Sequence, residues 1–205
     1  MIGIIDYGAG NLASVRYAFE KLGVEVEICS NPSLTLRYSH LVLPGVGSFR
    51  MAMERLQQKK WPSAIHEYVA EGRPLLGICL GMQLFFDEGE EHGPSLGLGL
   101  VPGQVKLMYP TDHLNVPHVG WNRLYQRYSH PLFEGIRDNV DYYFVHSYHC
   151  IPANENDILA TCDYGGHFVA SIARHNIVGM QFHPEKSQPS GLRILKKFTD
   201  WNGKC

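Results

Sequence analysis

Cys79 stands in Gly77-Ile78-Cys79-Leu80-Gly81, directly after the apolar run Leu75–Ile78, and this placing could make its sulfur a nucleophile. A strand that runs into G-x-C-x-G and turns at once has the nucleophile-elbow pattern, with sulfur in place of a hydroxyl oxygen. Glycines two before and two after tolerate the crowding of so tight a turn. Met82–Glu88 reads as helix-like, so the thiol would sit where a helix dipole favours thiolate. The Leu80 N–H would then face the place where an oxyanion develops. An isolated cysteine is more often a buried core residue. What lifts Cys79 above that reading is a matching base.

The base stands in Gln181-Phe182-His183-Pro184-Glu185. A strand over Ile177–Phe182 delivers His183 at its end, and residues i and i+2 of extended chain project to the same side. Glu185 can therefore hold the imidazole in one tautomer, while Pro184 closes the strand without costing a ladder hydrogen bond. Without the elbow cysteine, His183 and Glu185 would read as a loop histidine and a solvated charge. With it, thiol, imidazole and orienting carboxylate suit acyl transfer through a thioester. Leu43-Pro44-Gly45-Val46-Gly47-Ser48-Phe49 adds a loop whose glycines ease the turning of a backbone N–H towards a bound carbonyl. An ordinary strand-to-helix turn with Ser48 as N-cap explains the same residues, and both readings can hold together.

These groups need a scaffold. Met1–Asp6, Val24–Ser30, Leu41–Leu43 and Leu75–Ile78 read as strands. Between them, Leu12–Leu22, with Asn11 as N-cap and Gly23 as stop, and then Phe49–Gln57 and Pro62–Glu71, read as helices. Such alternation implies crossover units. Past Leu100 the strands are Val140–Cys150, Phe168–His175 and Ile177–Phe182, and Leu192–Trp201 is a closing amphipathic helix. The expected class is α/β: an open, mixed, largely parallel sheet flanked by helices, with an antiparallel β-rich second half.

Composition narrows the setting. The 205 residues fit one domain over 1–205, 44% of them hydrophobic and 19% charged, as in an ordinary soluble globule. A net charge of -2 offers no overall attraction to nucleic acid or anionic membrane. The start lacks the basic and apolar regions of a signal peptide, and no apolar run approaches a membrane span. Cys29, Cys79, Cys150, Cys162 and Cys205 are odd in number and scattered, which suits a reducing cytoplasm rather than a disulfide framework or zinc ribbon.

GICLGMQ around Cys79 and QFHPEKS around His183 resemble the two signatures of the class I (triad-type) glutamine amidotransferases, at the separation that family uses. The resemblance covers nearly the whole chain and implies a flavodoxin-like sheet and a glutaminase using Cys79, His183 and Glu185. It further implies oxyanion donors at the Val46 and Leu80 N–H groups. Gln83 and Glu91 would contact glutamine, with backbone around Gly47, Ser147 and Tyr148 on its α-amino and carboxylate groups. Within the family, the segments Ile2–Leu12, His118–Asn122 and Tyr143–Tyr148 resemble the glutaminase subunits of imidazole glycerol phosphate synthases. That likeness implies a (β/α)8-barrel cyclase subunit as partner, met by Asn11, Trp121, Asn122, Tyr143 and Lys186. Glutaminase subunits serving anthranilate, pyridoxal phosphate, GMP or CTP synthesis share the triad but do not usually combine these three segments. The elbow and base use the chain almost end to end, which leaves no room for an ammonia-consuming domain and points independently to a partner. Neither metal nor cofactor is called for.

Three rival readings compete. Gly8-Ala-Gly10-Asn-Leu-Ala13, with Glu27 further on, matches the dinucleotide-binding spacing. Against it, Asp6 puts a carboxylate where pyrophosphate would lie, and Glu27 falls inside its strand. His146 and His149 suggest a metal, but at i, i+3 of one strand their rings would oppose, and no paired ligand motif accompanies them. A subunit that kept the fold without activity would usually have lost a triad member, and this chain has all three.

Overall fold

The computed structural model describes residues 1–111 and 114–204. Cys205 lies outside the described residues. Strands β1 (Ile2–Ile5), β2 (Val26–Cys29), β3 (His40–Gly45) and β4 (Leu75–Cys79) alternate with helices α1 (Leu12–Lys21), α2 (Phe49–Gln58) and α3 (Trp61–Ala70). A single turn, α4 (Leu80–Gln83), follows the elbow. The chain then lays down β5 (Phe86–Gly89), β6 (Ser95–Leu96), β7 (Val101–Leu107), β8 (His118–Arg123) and β9 (Tyr125–Gln126). It ends in β10 (Asp141–His146), β11 (Tyr148–Pro152), β12 (Ile158–Asp163), β13 (His167–Arg174), β14 (Ile177–Met180) and α5 (Gln188–Asp200).

Among the described residues the main sheet has the order β2-β1-β3-β4-β14-β13-β12-β9. The first five strands are parallel, and the rest pair antiparallel. Strands β1, β4 and β14 are buried at every residue, as expected of parallel strands covered on both faces. Alternation then sorts their side chains. Ile2, Ile4, Val42, Leu76, Ile78, Val178 and Met180 pack with Phe19 of α1 and with Leu195 and Phe198 of α5. Ile5, Leu41, Leu43, Leu75 and Ile177 pack with Leu56 of α2 and with Trp61 and Ile65 of α3. Two helices thus cover each face, and the strand ends that carry Gly45 and Cys79 meet at one rim.

Asn11 caps α1 as expected, its side chain accepting from the Ser14 N–H. Three sequence expectations need correction. Met82–Glu88 is not a helix: the single turn α4 gives way to β5, because Leu84, Phe85 and Phe86 are wholly buried and the backbone of Gly97, Leu98 and Leu100 supplies hydrogen bonds to residues 84–87. Val140–Cys150 is not one strand: it breaks at Ser147, with β10 pairing to β8 and β11 to β7 in separate sheets. The closing helix starts at Gln188 rather than Leu192, with a proline in its first turn.

Candidate active site

The elbow is held open by absent side chains. Cys79 has φ 54° and ψ −113°, a conformation non-glycine residues adopt only when the surroundings force it. A Cβ on Gly77 would fall 2.7 Å from the Met82 backbone, and one on Gly81 would fall 1.8 Å from the Leu43 carbonyl oxygen. Both glycines of G-x-C-x-G are therefore steric requirements.

Around the sulfur lies a cavity of about 310 Å³, within the range of small-molecule sites. Its lining brings together Val46, Gly47, Cys79, Leu80, Gln83, Glu91, Ser147, Tyr148, His183 and Lys186, ten of the residues singled out from sequence. His183 Nδ1 lies 2.8 Å from Glu185 Oε1, and both side chains are almost wholly buried. The i, i+2 geometry expected from sequence thus forms, although in a 3-10 turn at Pro184–Lys186 rather than in extended chain. Among the described residues His183 Nε2 meets strict hydrogen-bond geometry with no partner, but the Cys79 side chain is close enough to interact with the ring, so Nε2 is the nitrogen left over to exchange a proton. Burial works against a charge on this ring, but Cys79 and Glu185 outweigh it and raise its pKa to about 9.

Glu91 Oε2 accepts from the Phe49 N–H at 2.7 Å. Ser48 is the N-cap residue of α2, as the strand-to-helix reading has it, but its hydroxyl makes no cap, and Glu91 supplies the acceptor from a distance. Gln83 Nε2 donates to the Tyr148 carbonyl at 3.0 Å and to Gln181 Oε1 at 2.9 Å. Asn11, Trp121, Asn122 and Tyr143 do not line the cavity. The Tyr143 ring lies 5.9 Å from the half-exposed Trp121 ring and 5.7 Å from the Lys186 ammonium.

Sequence reasoning passed over three positioning side chains. Gln181, fully buried, places Nε2 3.7 Å from the Cys79 sulfur. Ser187 donates to the His183 carbonyl at 2.6 Å and accepts from the Tyr143 N–H at 3.0 Å, clamping the base to β10. His146 lines the cavity. Gln181 and Ser187 belong to QFHPEKS and His146 to the Tyr143–Tyr148 segment, so a motif signal existed for each; their partners depend on long-range packing and left none.

The rivals fare worse. Asp6 accepts from the Gly8 N–H at 2.9 Å and from Ser30 at 3.3 Å, so it already takes up a loop donor that a pyrophosphate would need. Glu27 accepts from the Tyr38 hydroxyl. Among the described residues no group of three or more histidine, cysteine, aspartate or glutamate side chains could hold a metal ion. His146 and His149 lie on different strands, so the single-strand argument against them was misplaced. No helix among the described residues is long and apolar enough to cross a membrane.

With this elbow, base and sheet order, the chain belongs to the glutamine amidotransferase class-I family, whose model matches residues 3–201. More particularly, it is 48% identical over 202 residues to the imidazole glycerol phosphate synthase subunit HisH of Desulfitobacterium hafniense, covering 98% of this chain and 94% of that one. The HisH subunit of Sulfurimonas denitrificans is 47% identical, with 98% of both chains covered. Among solved structures, PurLQS from Thermotoga maritima superposes with TM-score 0.77 at 15% identity, over 97% of each chain. The glutaminase domain of Trypanosoma brucei CTPS gives TM-score 0.64 at 17% identity, over 100% of this chain and 97% of that one. At such identities the two structures speak for the fold alone.

Proposed function

We propose that the chain is the glutaminase subunit of an imidazole glycerol phosphate synthase. In this reading it hydrolyses glutamine to glutamate and ammonia and passes the ammonia to a (β/α)8-barrel cyclase subunit, which makes imidazole glycerol phosphate and an aminoimidazole carboxamide ribonucleotide in histidine biosynthesis. The observation that carries the reading is the convergence of the Cys79 elbow and the Glu185-held His183 on one cavity, in a chain nearly half identical to HisH subunits along its length.

The Cys79 thiolate attacks the side-chain amide carbon of glutamine. Leu80 and Val46 N–H groups receive the oxyanion, and loss of one such donor slows acyl transfer roughly 100-fold or more. Protonated His183 gives its proton to the departing nitrogen, and ammonia leaves. The same imidazole then activates water to hydrolyse the glutamyl thioester, restoring the thiol. Gln83 and Glu91, with backbone at Gly47, Ser147 and Tyr148, hold the amino-acid end of the substrate. Free ammonia protonates in water and loses its nucleophilicity, so the product needs a sheltered path to its acceptor. Asn11, Trp121, Asn122, Tyr143 and Lys186 form the face on which the cyclase docks.

Co-purification with the candidate cyclase, followed by glutamine-dependent turnover in wild type and Cys79→Ser, tests this reading. A stable complex whose turnover vanishes in the variant supports it; absence of a complex removes the assignment to this synthase.

A further inference from the structure

Two buried imidazoles join the cavity to the face carrying Trp121. Asn122 Nδ2 lies 2.8 Å from His118 Nε2. His118 Nδ1 lies 3.1 Å from His146 Nε2, and His146 Nδ1 lies 2.9 Å from the Tyr148 carbonyl oxygen. The polarity of this chain follows from its inner end. A carbonyl only accepts, so His146 Nδ1 carries hydrogen. Burial pushes the His146 pKa down to about 3 and that of His118 down to about 4, so both rings are neutral near pH 7. His146 Nε2 is therefore bare and accepts from His118 Nδ1–H. His118 Nε2 is bare in turn, and Asn122 must present its NH2 to it and turn its oxygen away. Stacking fixes the rings themselves: His118 lies between Tyr164, at 4.0 Å, and Phe144, at 5.0 Å.

The carbonyl at the end of this chain lies where the backbone passes between two sheets. At Ser147 the chain leaves one sheet for another, and the turn is held by the Met108 N–H on the Ser147 carbonyl at 2.9 Å together with the bonds on the Tyr148 carbonyl. Ser147 and Tyr148 line the cavity. The Tyr148 carbonyl also accepts from Gln83 at 3.0 Å, so both its lone pairs are engaged. A proton wire does not fit this arrangement, because an amide at one end and a carbonyl at the other cannot take up and release a proton. What the chain can do is hold geometry.

We propose that His118 and His146, oriented by Asn122, are positioning residues that shape the Ser147–Tyr148 backbone to receive the α-amino and α-carboxylate groups of glutamine. This rests on the glutaminase reading above. It makes the amide of Asn122 a determinant of substrate affinity even though Asn122 lies outside the cavity.

Asn122→Asp is the discriminating variant. It keeps the shape but replaces the donor with an acceptor-only carboxylate. His118 then becomes a buried cation, or the hydrogens of one or both rings move to Nε2 and leave two acceptors facing each other at His118–His146 or at His146–Tyr148, or the carboxyl takes up a proton at the cost of its charge. Glutamine hydrolysis is measured in the complex with the cyclase subunit, at cyclase concentrations that saturate both enzymes. The expected result is a KM for glutamine raised roughly 10-fold, as for a buried group left with a failed hydrogen bond, with kcat changed far less. Nitrogen-15 spectra of labelled histidine are expected to show neutral Nδ1–H tautomers at both positions in wild type and an altered His118 signal in the variant. Nε2–H tautomers in wild type, or an unchanged KM beside an altered His118 signal, would overturn the proposal. A wild-type complex that turns over no glutamine would instead remove the glutaminase reading beneath it, and the two failures are distinct because the tautomers are read without substrate.

Discussion

Gly81 and Leu43 approach so closely that a Cβ on the glycine would lie 1.8 Å from the leucine carbonyl oxygen. The strand that leads into the proposed oxyanion loop therefore leans directly on the turn that presents the sulfur. Gly81→Ala must push them apart, at the upper end of the overpacking range, about 3 kcal/mol. Urea denaturation is expected to show a correspondingly lower midpoint, with glutaminase turnover falling in the protein that still folds. An alanine variant with wild-type midpoint and turnover would mean that the elbow has slack this packing does not allow.

As the proposed general acid, His183 is expected to set the pH response. Burial lowers its pKa, Cys79 and Glu185 raise it, and the balance lies at about 9. A raised pKa keeps the ring protonated as pH rises, so a general acid at this position works until pH approaches 9 and fails above it. The kcat/KM of the complex is expected to fall along an alkaline limb centred near 9. Glu185→Gln removes one of the two raising groups, so that limb is expected at lower pH, with turnover reduced roughly 100-fold or more. The stability linkage has the same sign: the folded state binds this proton more tightly than the unfolded chain. Its contribution is full below the unfolded value near 6.5 and is lost as pH rises through about 9. An alkaline limb that does not move in Glu185→Gln would separate the carboxylate from the titration.

Glu91 ties cavity to helix. Its carboxylate holds the Phe49 N–H at 2.7 Å, at the start of the helix that follows the proposed oxyanion loop. Glu91→Ala leaves that N–H without its cap, at a cost of roughly 1 kcal/mol, and also removes a charge from the cavity lining. The expected outcome is modest destabilisation in urea with a much larger rise in KM for glutamine. Equal losses in stability and in affinity would reduce Glu91 to a cap alone.

Elements with a strong local pattern were legible in the sequence. Ile2–Ile5 and Leu75–Ile78 announce buried parallel strands through unbroken apolar runs, and Asn11 marks the start of its helix. G-x-C-x-G and His183-Pro-Glu185 locate the proposed nucleophile, base and orienter because their spacing is itself steric or geometric. What stayed hidden depends on partners distant in sequence. Leu84–Phe86 joins a strand because residues 97–100 return beside it, and no local period records that. The break at Ser147 separates residues that pair with β8 from residues that pair with β7, two partners that only the folded chain brings alongside. The hydrogen-bond chain from Asn122 to Tyr148 joins two stretches more than twenty residues apart, invisible until β8 pairs with β10.

Gln181 is buried with its Nε2 3.7 Å from the Cys79 sulfur, and its Oε1 receives the Gln83 amide at 2.9 Å. One side chain thus supports the nucleophile and orients a residue of the cavity wall. Gln181→Leu keeps most of the volume and removes both interactions. A hydrogen bond to a charged group contributes about 1.5–3 kcal/mol, so if the donor stabilises the thiolate, alkylation of Cys79 by iodoacetamide is expected to slow by roughly 10-fold or more. Gln83, having lost one acceptor, is expected to raise the KM for glutamine at the same time. Alkylation at the wild-type rate with a raised KM would assign Gln181 to the substrate wall alone, and no change in either would leave it a packing residue. Gln181→Glu sharpens the comparison. It keeps an acceptor for Gln83 but sets a carboxylate against the sulfur, so the KM is expected to recover while alkylation stays slow.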